Sequence, residues 1–460
     1  MSLFNLYRKP LLFVVFTSFF YLSFAYDLER SDFIKLITLY TGLFFLFYKT
    51  VKVFKGNFWL LAGLGIFFRL LFITSIPNLS QDFYRFLWDG RLVLQVINPY
   101  LLSPEMYLSE GNQVVAQTQL LYEGMGALNG SHFSNYPPLN QLLFSVAALF
   151  SGNSILGSVI VLRIIMILAD VGILYFGRKL LKQLKIDESR IFWYFLNPFI
   201  IIELTGNLHF EGVMLFFVVA SLYYLHNRKW IIAAILLGLS ISVKLIPLLF
   251  LPLLFQKFMK DSSSSKLGFI KLMGFYLLTL LTVILSFVPF YSNEFLSNFT
   301  TTIGLWFQNF EFNASVYYII RWIGFKVVGW NLIETVGKIL PIIVILFVLG
   351  ITFFRKNENP KKLITAILLV ISFYFLLSTT VHPWYVATPL LLSLFTNYKF
   401  PLVWSFMVVL SYSAYGSEGF SENLWLVTFE YCVVVGYFLW EVLIKNNSLK
   451  EKQSSISIKP

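Results

Sequence analysis

SQDFYRFLWDGRLVLQVINPY, residues 80–100, is the stretch on which the reading of this chain turns. It sets two aspartates and two arginines directly behind an apolar run from Phe58 to Ile76. Asp82, Arg85, Asp89 and Arg91 follow one another at intervals of three, four and two, so on a helix the first three share a face. Spacing alone leaves two readings open: a solvated interfacial helix tied by local salt bridges, or charges gathered for chemistry at a membrane boundary.

The rest of the chain makes such a concentration unusual. Of its 460 residues 58% are hydrophobic and 13% charged, and the mean hydropathy is +0.74. These values are those of a polytopic membrane protein. The net charge of +12 could suit nucleic acid if it formed a patch. The lysines fall instead in short loops such as YKTVKVFKGN, GRKLLKQLK, HNRKW and FRKNENPKK, the pattern of a positive-inside bias. No nucleic-acid partner is expected. A single cysteine, Cys432, lies in an apolar run, so no disulfide or cysteine metal site is available. The first apolar run, Leu11 to Tyr26, lacks a small-residue cleavage site and reads as a retained span.

Apolar runs near bilayer-crossing length fall at roughly 11–26, 33–49, 58–76, 155–181, 190–204, 211–226, 230–243, 245–256, 267–290, 334–354, 362–379, 385–397, 401–414 and 424–444. The segment 230–256 also reads as one bent element broken by Pro247 and Pro252. With Arg8 and Lys9 holding the N-terminus inside, every lysine-rich loop threads to the inside, as do MKDSSSSK and the tail IKNNSLKEK. The expectation is one integral-membrane domain over 1–460, an all-α bundle of about 12–14 transmembrane helices. It would lie in a cell inner (cytoplasmic) membrane with both termini cytoplasmic. Leu139 to Phe150 is then expected to be re-entrant or interfacial.

The same threading puts the polar motifs on the other side: the first large extracytoplasmic loop, 77–138, a second at 291–333, GNLHFEG, TTVHPWY and SYSAYGSEGFSEN. Lys244 falls at the outer turn of a hairpin. A transporter would normally place polar residues near the midplane in broken helices. This asymmetry favours chemistry at the outer membrane–water boundary.

The motifs DFYRFLWDGRLVLQVINPY, NYPPLNQLLF, LNPFIIIELTGNLHFEGVM, SVKLIPLLFLPLL and VHPWY resemble those of polyprenyl-phosphate-mannose-dependent mannosyltransferases. These are integral-membrane glycosyltransferases of the GT-C class, and the resemblance runs from about residue 58 to 400 in the expected order. It implies a helical bundle whose large outer loops form the active site, and a lipid-linked sugar donor. It also implies an acidic residue of the first outer loop as base, which in this chain falls on Asp82. The chemistry of the residues agrees. An acceptor hydroxyl must lose a proton as it attacks, which a carboxylate can take, and the released lipid phosphate wants cationic or amide donors.

The remaining candidates each carry an alternative. Asp89 binds acceptor hydroxyls, or pairs with Arg85 and orients it. Arg85 and Arg91 hold phosphate, or snorkel to headgroups. Lys244, the only charge between Trp230 and Gln256, binds phosphate or reaches water from its turn. By resemblance His209 and Glu211, with Asn207, are site-wall residues suited to sugar hydroxyls; two candidate ligands do not make a metal site. His382 contacts phosphate or substrate, and Trp384 and Tyr385 offer faces to a sugar or isoprene unit, or else form a headgroup belt. His132 and Tyr136 are weaker candidates. Arg321 is a phosphate candidate; ten residues from Glu311, it would not share a helix face with it. Arg69, Arg163 and Asp170 read as buried structural partners.

The reading is therefore a hexosyltransferase moving a sugar, by the resemblance mannose, from a polyprenyl phosphate to an extracytoplasmic glycan or lipid acceptor by inverting single displacement. No metal and no cofactor beyond the lipid-linked substrate is expected. The rivals are a lipid-linked glycan polymerase or ligase and a transporter or flippase. Geometry discriminates: for the enzyme Asp82, Lys244 and His382 must meet in one cavity.

Overall fold

A computed structural model of the chain describes residues 3–111, 113–308, 310–417 and 419–445. The tail beyond 445, including most of IKNNSLKEK, lies outside the described residues. Within them the protein is an all-α polytopic membrane protein. The strands present are one two-residue hairpin, Tyr415–Gly416 against Gly419–Phe420, and a bridge between Phe312 and Thr380.

The chain begins with α1 (Leu3–Tyr26), α2 (Phe33–Val53) and α3 (Phe58–Leu70). Asp32 and Asn57 cap α2 and α3 by accepting from the backbone N–H three residues on. The first polar loop then folds into α4 (Asp82–Leu94), α5 (Pro104–Ser109) and α6 (Thr118–Gly130), followed by α7 (Pro138–Ser151) and α8 (Ile155–Gln183). Among the described residues six helices are long and apolar enough to span a bilayer: Phe33–Val53, Ile155–Gln183, Ser265–Phe290, Ile333–Phe354, Pro360–Leu377 and Leu424–Ile444. A bent pair, Pro198–Gly206 and Glu211–His226, forms either a broken span or a re-entrant loop. Five shorter apolar helices of 10–17 residues accompany them.

Several apolar runs fold differently from separate straight spans. Run 190–204 breaks into short turns and helices, and its latter part, Pro198–Gly206, meets Glu211–His226 at a bend of 114°. After Trp230–Ile241 the chain turns at Lys244 and continues as 3-10 turns at Ile246–Phe250 and Pro252–Leu254, where the prolines remove helical donors. Segment 385–414 is likewise a series of short turns and helices.

Helix α4 decides between the two readings its spacing left open. It is not a solvated interfacial helix: Phe83 and every residue from Arg85 to Leu92 are buried. Phe86 stacks on Phe144 of α7, ring centres 4.6 Å apart at 10°. Gly90 permits that approach, since a Cβ there would come within 2.3 Å of the Phe144 carbonyl oxygen.

The loops sort into two groups. The basic connectors touch one another: Lys55 with Asp187 at 3.1 Å, Gln183 with Asn227, Lys260 with Glu358, and Arg190 with the Thr396 carbonyl. The polar motifs gather at the opposite ends of the helices.

Candidate active site

One cavity of about 570 Å³ collects the polar motifs. Its wall includes Asp82, Arg85, His132, Tyr136, His209, Lys244, His382, Trp384 and Tyr385. The three residues whose meeting separates enzyme from transporter thus share one cavity. Its size suits a sugar phosphate with part of an acceptor.

Asp82 opens α4, its backbone N–H donating to Ser80 Oγ at 3.3 Å, and its Oδ1 lies 3.4 Å from Asn129 Nδ2. Burial raises its pKa above the ordinary carboxylate value; the charge of Lys244, the Asn129 hydrogen bond and the charge of Arg30 pull it down, and Glu211 pushes it up. One and two turns on, Arg85 and Asp89 form a buried pair at 2.7 Å. Arg85 also donates to the carbonyls of Asn129 and His132. Asp89 is fully buried and accepts from Ser134 Oγ at 2.5 Å and Gln141 at 3.1 Å. It is not on the cavity wall; it orients Arg85, which is.

His209 is carried by the bent element. Its Nδ1 lies 2.9 Å from the Glu203 carbonyl oxygen. A carbonyl only accepts, so Nδ1 carries the hydrogen and Nε2 is left as an acceptor in the neutral ring. The bend is held by Arg163, which donates to the carbonyls of Thr205 and Gly206 and to those of Ile73 and Ser75 ahead of α4. One buried guanidinium therefore ties the approach to Asp82 to the approach to His209. Asn207 adds a second tie, accepting from the Leu79 N–H at 2.9 Å. Between them Leu208 sits at φ +63°, a left-handed conformation costing about 1–2 kcal/mol in a non-glycine residue.

Lys244 pairs with buried Glu211 at 2.6 Å while remaining partly open to the cavity. Glu211 lies behind it. The third wall is aromatic: His209, Trp384 and His382 stack in sequence, with ring centres 3.6 and 4.6 Å apart. Burial and the charges of Lys244 and Arg30 push the His382 pKa down to about 3, so its ring is neutral near pH 7. Segment 379–381 is fixed from the second polar loop, where the Phe312 N–H donates to Thr379 O and the Phe312 carbonyl accepts from the Val381 N–H.

Two sequence candidates stand away from the cavity. Arg91 is spent on the carbonyls of Ala116 and Asn153 and on Gln117, bracing α4 against the loop after α5. Arg321 pairs with Glu311 in the second loop; Glu311 precedes the helix Val316–Val327, so the pair forms without a shared helix face. Arg69 and Asp170 pair with each other at 2.8 Å. The residue that motif reasoning missed is Arg30, on the cavity wall from the loop between α1 and α2. A signal existed: DLERSD threads to the same side as Asp82.

Among the described residues no group of three or more His, Cys, Asp or Glu could hold a metal ion. Among the described residues, helices and cavity together define a polytopic all-α membrane protein with a polar-lined pocket.

Comparison with known proteins finds similarity to mannopyranosyltransferases. Residues 38–260 match the family model described as alpha-(1->6)-mannopyranosyltransferase, N-terminal domain. The chain is 20% identical over 335 residues to alpha-(1->6)-mannopyranosyltransferase A of Mycobacterium tuberculosis, covering 69% of this chain and 61% of the relative. It is 24% identical over 151 residues to alpha-(1->6)-mannopyranosyltransferase B of Corynebacterium glutamicum, covering 33% and 24% respectively. The chain thus spans about three-fifths of one relative's length and a quarter of the other's. It is similar to these alpha-(1->6)-mannopyranosyltransferases, and the segment matched by the family model contains α4, the bend at His209 and Lys244.

Proposed function

We propose that this protein is a mannosyltransferase that moves mannose from a polyprenyl phosphate to a glycan or lipid acceptor. The reaction would take place on the extracytoplasmic side of a cytoplasmic membrane. The observation that carries the reading is the meeting of Asp82 with Lys244, Arg85 and His382 in one cavity. The relatives' names supply the sugar.

In this mechanism the acceptor hydroxyl oxygen attacks the anomeric carbon from the face opposite the phosphate. Its proton passes to the Asp82 carboxylate. The anomeric carbon–oxygen bond to phosphate breaks, and its electron pair leaves with the phosphate oxygen. One displacement inverts the anomeric centre, and one base suffices because phosphate leaves without being protonated. A positioned base contributes about 10²–10⁴-fold. Arg85, locked by Asp89 and two carbonyls, and Lys244, set by Glu211, meet phosphate charge without having to reorganise. The aromatic stack supplies flat faces for the sugar or the first isoprene unit.

A transporter reading loses its main support in the helices. Arg69, Asp170 and Arg163, the charges that would mark a midplane path, are bonded to one another or to backbone carbonyls and do not line the cavity. The deciding assay is transfer from synthetic polyprenyl-phosphate-mannose by purified protein in lipid, with lysate lipids and glycans as acceptors. Wild type should transfer, and Asp82→Asn should lose the activity while keeping fold and donor binding. Equal activity in both would remove Asp82 as base.

A further inference from the structure

Arg30 is the cavity cation that the fold has left without a carboxylate. Arg85 has Asp89 at 2.7 Å and Lys244 has Glu211 at 2.6 Å. No acidic group lies within salt-bridge reach of Arg30 among the described residues, and its Nε is buried without a hydrogen-bond partner. The acids beside it in sequence are engaged elsewhere: Asp27 pairs with Lys35, and Asp32 caps α2. The guanidinium carbon lies 3.2 Å from the ring centre of Tyr415, a cation–π contact that anchors the side chain. Arg30 lines the same cavity as Asp82 and His382.

We infer that Arg30 binds the donor's phosphate ester and stabilises the charge that builds on it as the sugar leaves. The inference rests on the reading of the donor as a polyprenyl-phosphate sugar. In that donor the phosphate is a diester with one negative charge. When the anomeric carbon–oxygen bond breaks, the electron pair stays on phosphate and the product monoester takes up a second charge. A cation already neutralised by an internal carboxylate responds weakly to that increment. Arg30 meets it in full, which makes the contact stronger in the transition state than in the ground state. The bidentate geometry of a guanidinium fits two phosphate oxygens where a lysine offers a point charge.

The test is binding of farnesyl phosphate and of farnesol to the full chain in phosphatidylcholine discs, with inorganic phosphate and phosphatidylglycerol as competitors. Wild type should prefer the phosphate, and neither competitor should displace it at matched concentration. Arg30→Gln should weaken farnesyl phosphate about tenfold or more, leave farnesol unchanged, and so erase the preference. Arg30→Lys should recover part of it, and Lys338→Gln, an exposed pair far from the cavity, should match wild type. Should Arg30→Gln fail to fold, Arg30→Met keeps the apolar stem and gives the same reading. An undiminished preference in a folded variant lacking the charge overturns the role of Arg30 and leaves the donor reading intact. Wild type without any preference overturns the donor reading and this one with it. Displacement by phosphatidylglycerol would mark a bilayer-headgroup site instead and overturn the inference.

Discussion

At the scale of single residues, the site combines a carboxylate that is hard to ionise with a histidine that is hard to protonate. The Asp82 pKa is raised, so its base form is present only above that value, and activity should rise with pH through it. Lys244 is the largest influence holding that pKa down. Lys244→Gln should therefore move the acid limb of the pH–rate profile to higher pH, and a limb that stays put or moves down would refute the assignment. The uncompensated Glu211 charge would act in the same direction. His382, near 3, does not titrate between pH 5 and 9. His382→Gln should lower the rate without shifting that limb. Lys244 stood out in the sequence as a lone charge in an apolar run, whereas Asp82 stood out in a charge cluster and His382 in the VHPWY motif, with the base role of Asp82 implied by the family resemblance. The pairing of Asp89 with Arg85 was one of two readings its spacing allowed, and the roles of Arg91 and Glu211 were not legible. Hydrogen-bond partners decide whether a charge faces substrate or braces its neighbour, and the partners of Asp89 lie 45 and 52 residues away.

At the scale of elements, the cavity depends on two close approaches. Helix α4 meets α7 through Gly90, where an alanine Cβ would fall 2.3 Å from a backbone oxygen and at least one helix would have to shift. Gly90→Ala should cost about 1–3 kcal/mol and lower the thermal transition and the transfer rate together. An unchanged transition would show that α4 is free to slide. Arg163 is the second device. Its removal strands four carbonyls around the bend, at about 1–3 kcal/mol for each left dry. Arg163→Met should therefore reduce both stability and activity, whereas Asp82→Asn should reduce activity alone. Scanning calorimetry beside the transfer assay separates the two patterns. The bend itself was hard to see in the sequence. Apolar runs 190–204 and 211–226 look like two spans because hydropathy reports burial, not direction. The 114° turn is imposed by a guanidinium bonding to carbonyls 42 and 43 residues away in the chain.

At the scale of the whole molecule, the separation of basic connectors from polar motifs predicts sidedness. In a Cys432→Ser background, single cysteines at Glu29 and Ser131 should react with an impermeant maleimide on intact cells. Cysteines at Lys182 and Lys362 should react only after permeabilisation. Labelling of both sets from one side would break the threading on which an extracytoplasmic site rests. Composition and the order of residues were enough for the solvent this protein lives in, its helical class, the two-ended sorting of its loops and the identity of its main polar groups. Each follows from composition and local order: apolar runs must satisfy their backbone bonds internally in lipid, and lysines collect in the connectors. Only the tertiary structure decided which of those groups share a cavity. It brought in Arg30, spent Arg91 and Arg321 elsewhere, and turned Asp89 and Glu211 into supports. Those outcomes depend on contacts between segments tens to hundreds of residues apart, where the pairing of one charge removes it from the choices open to the next.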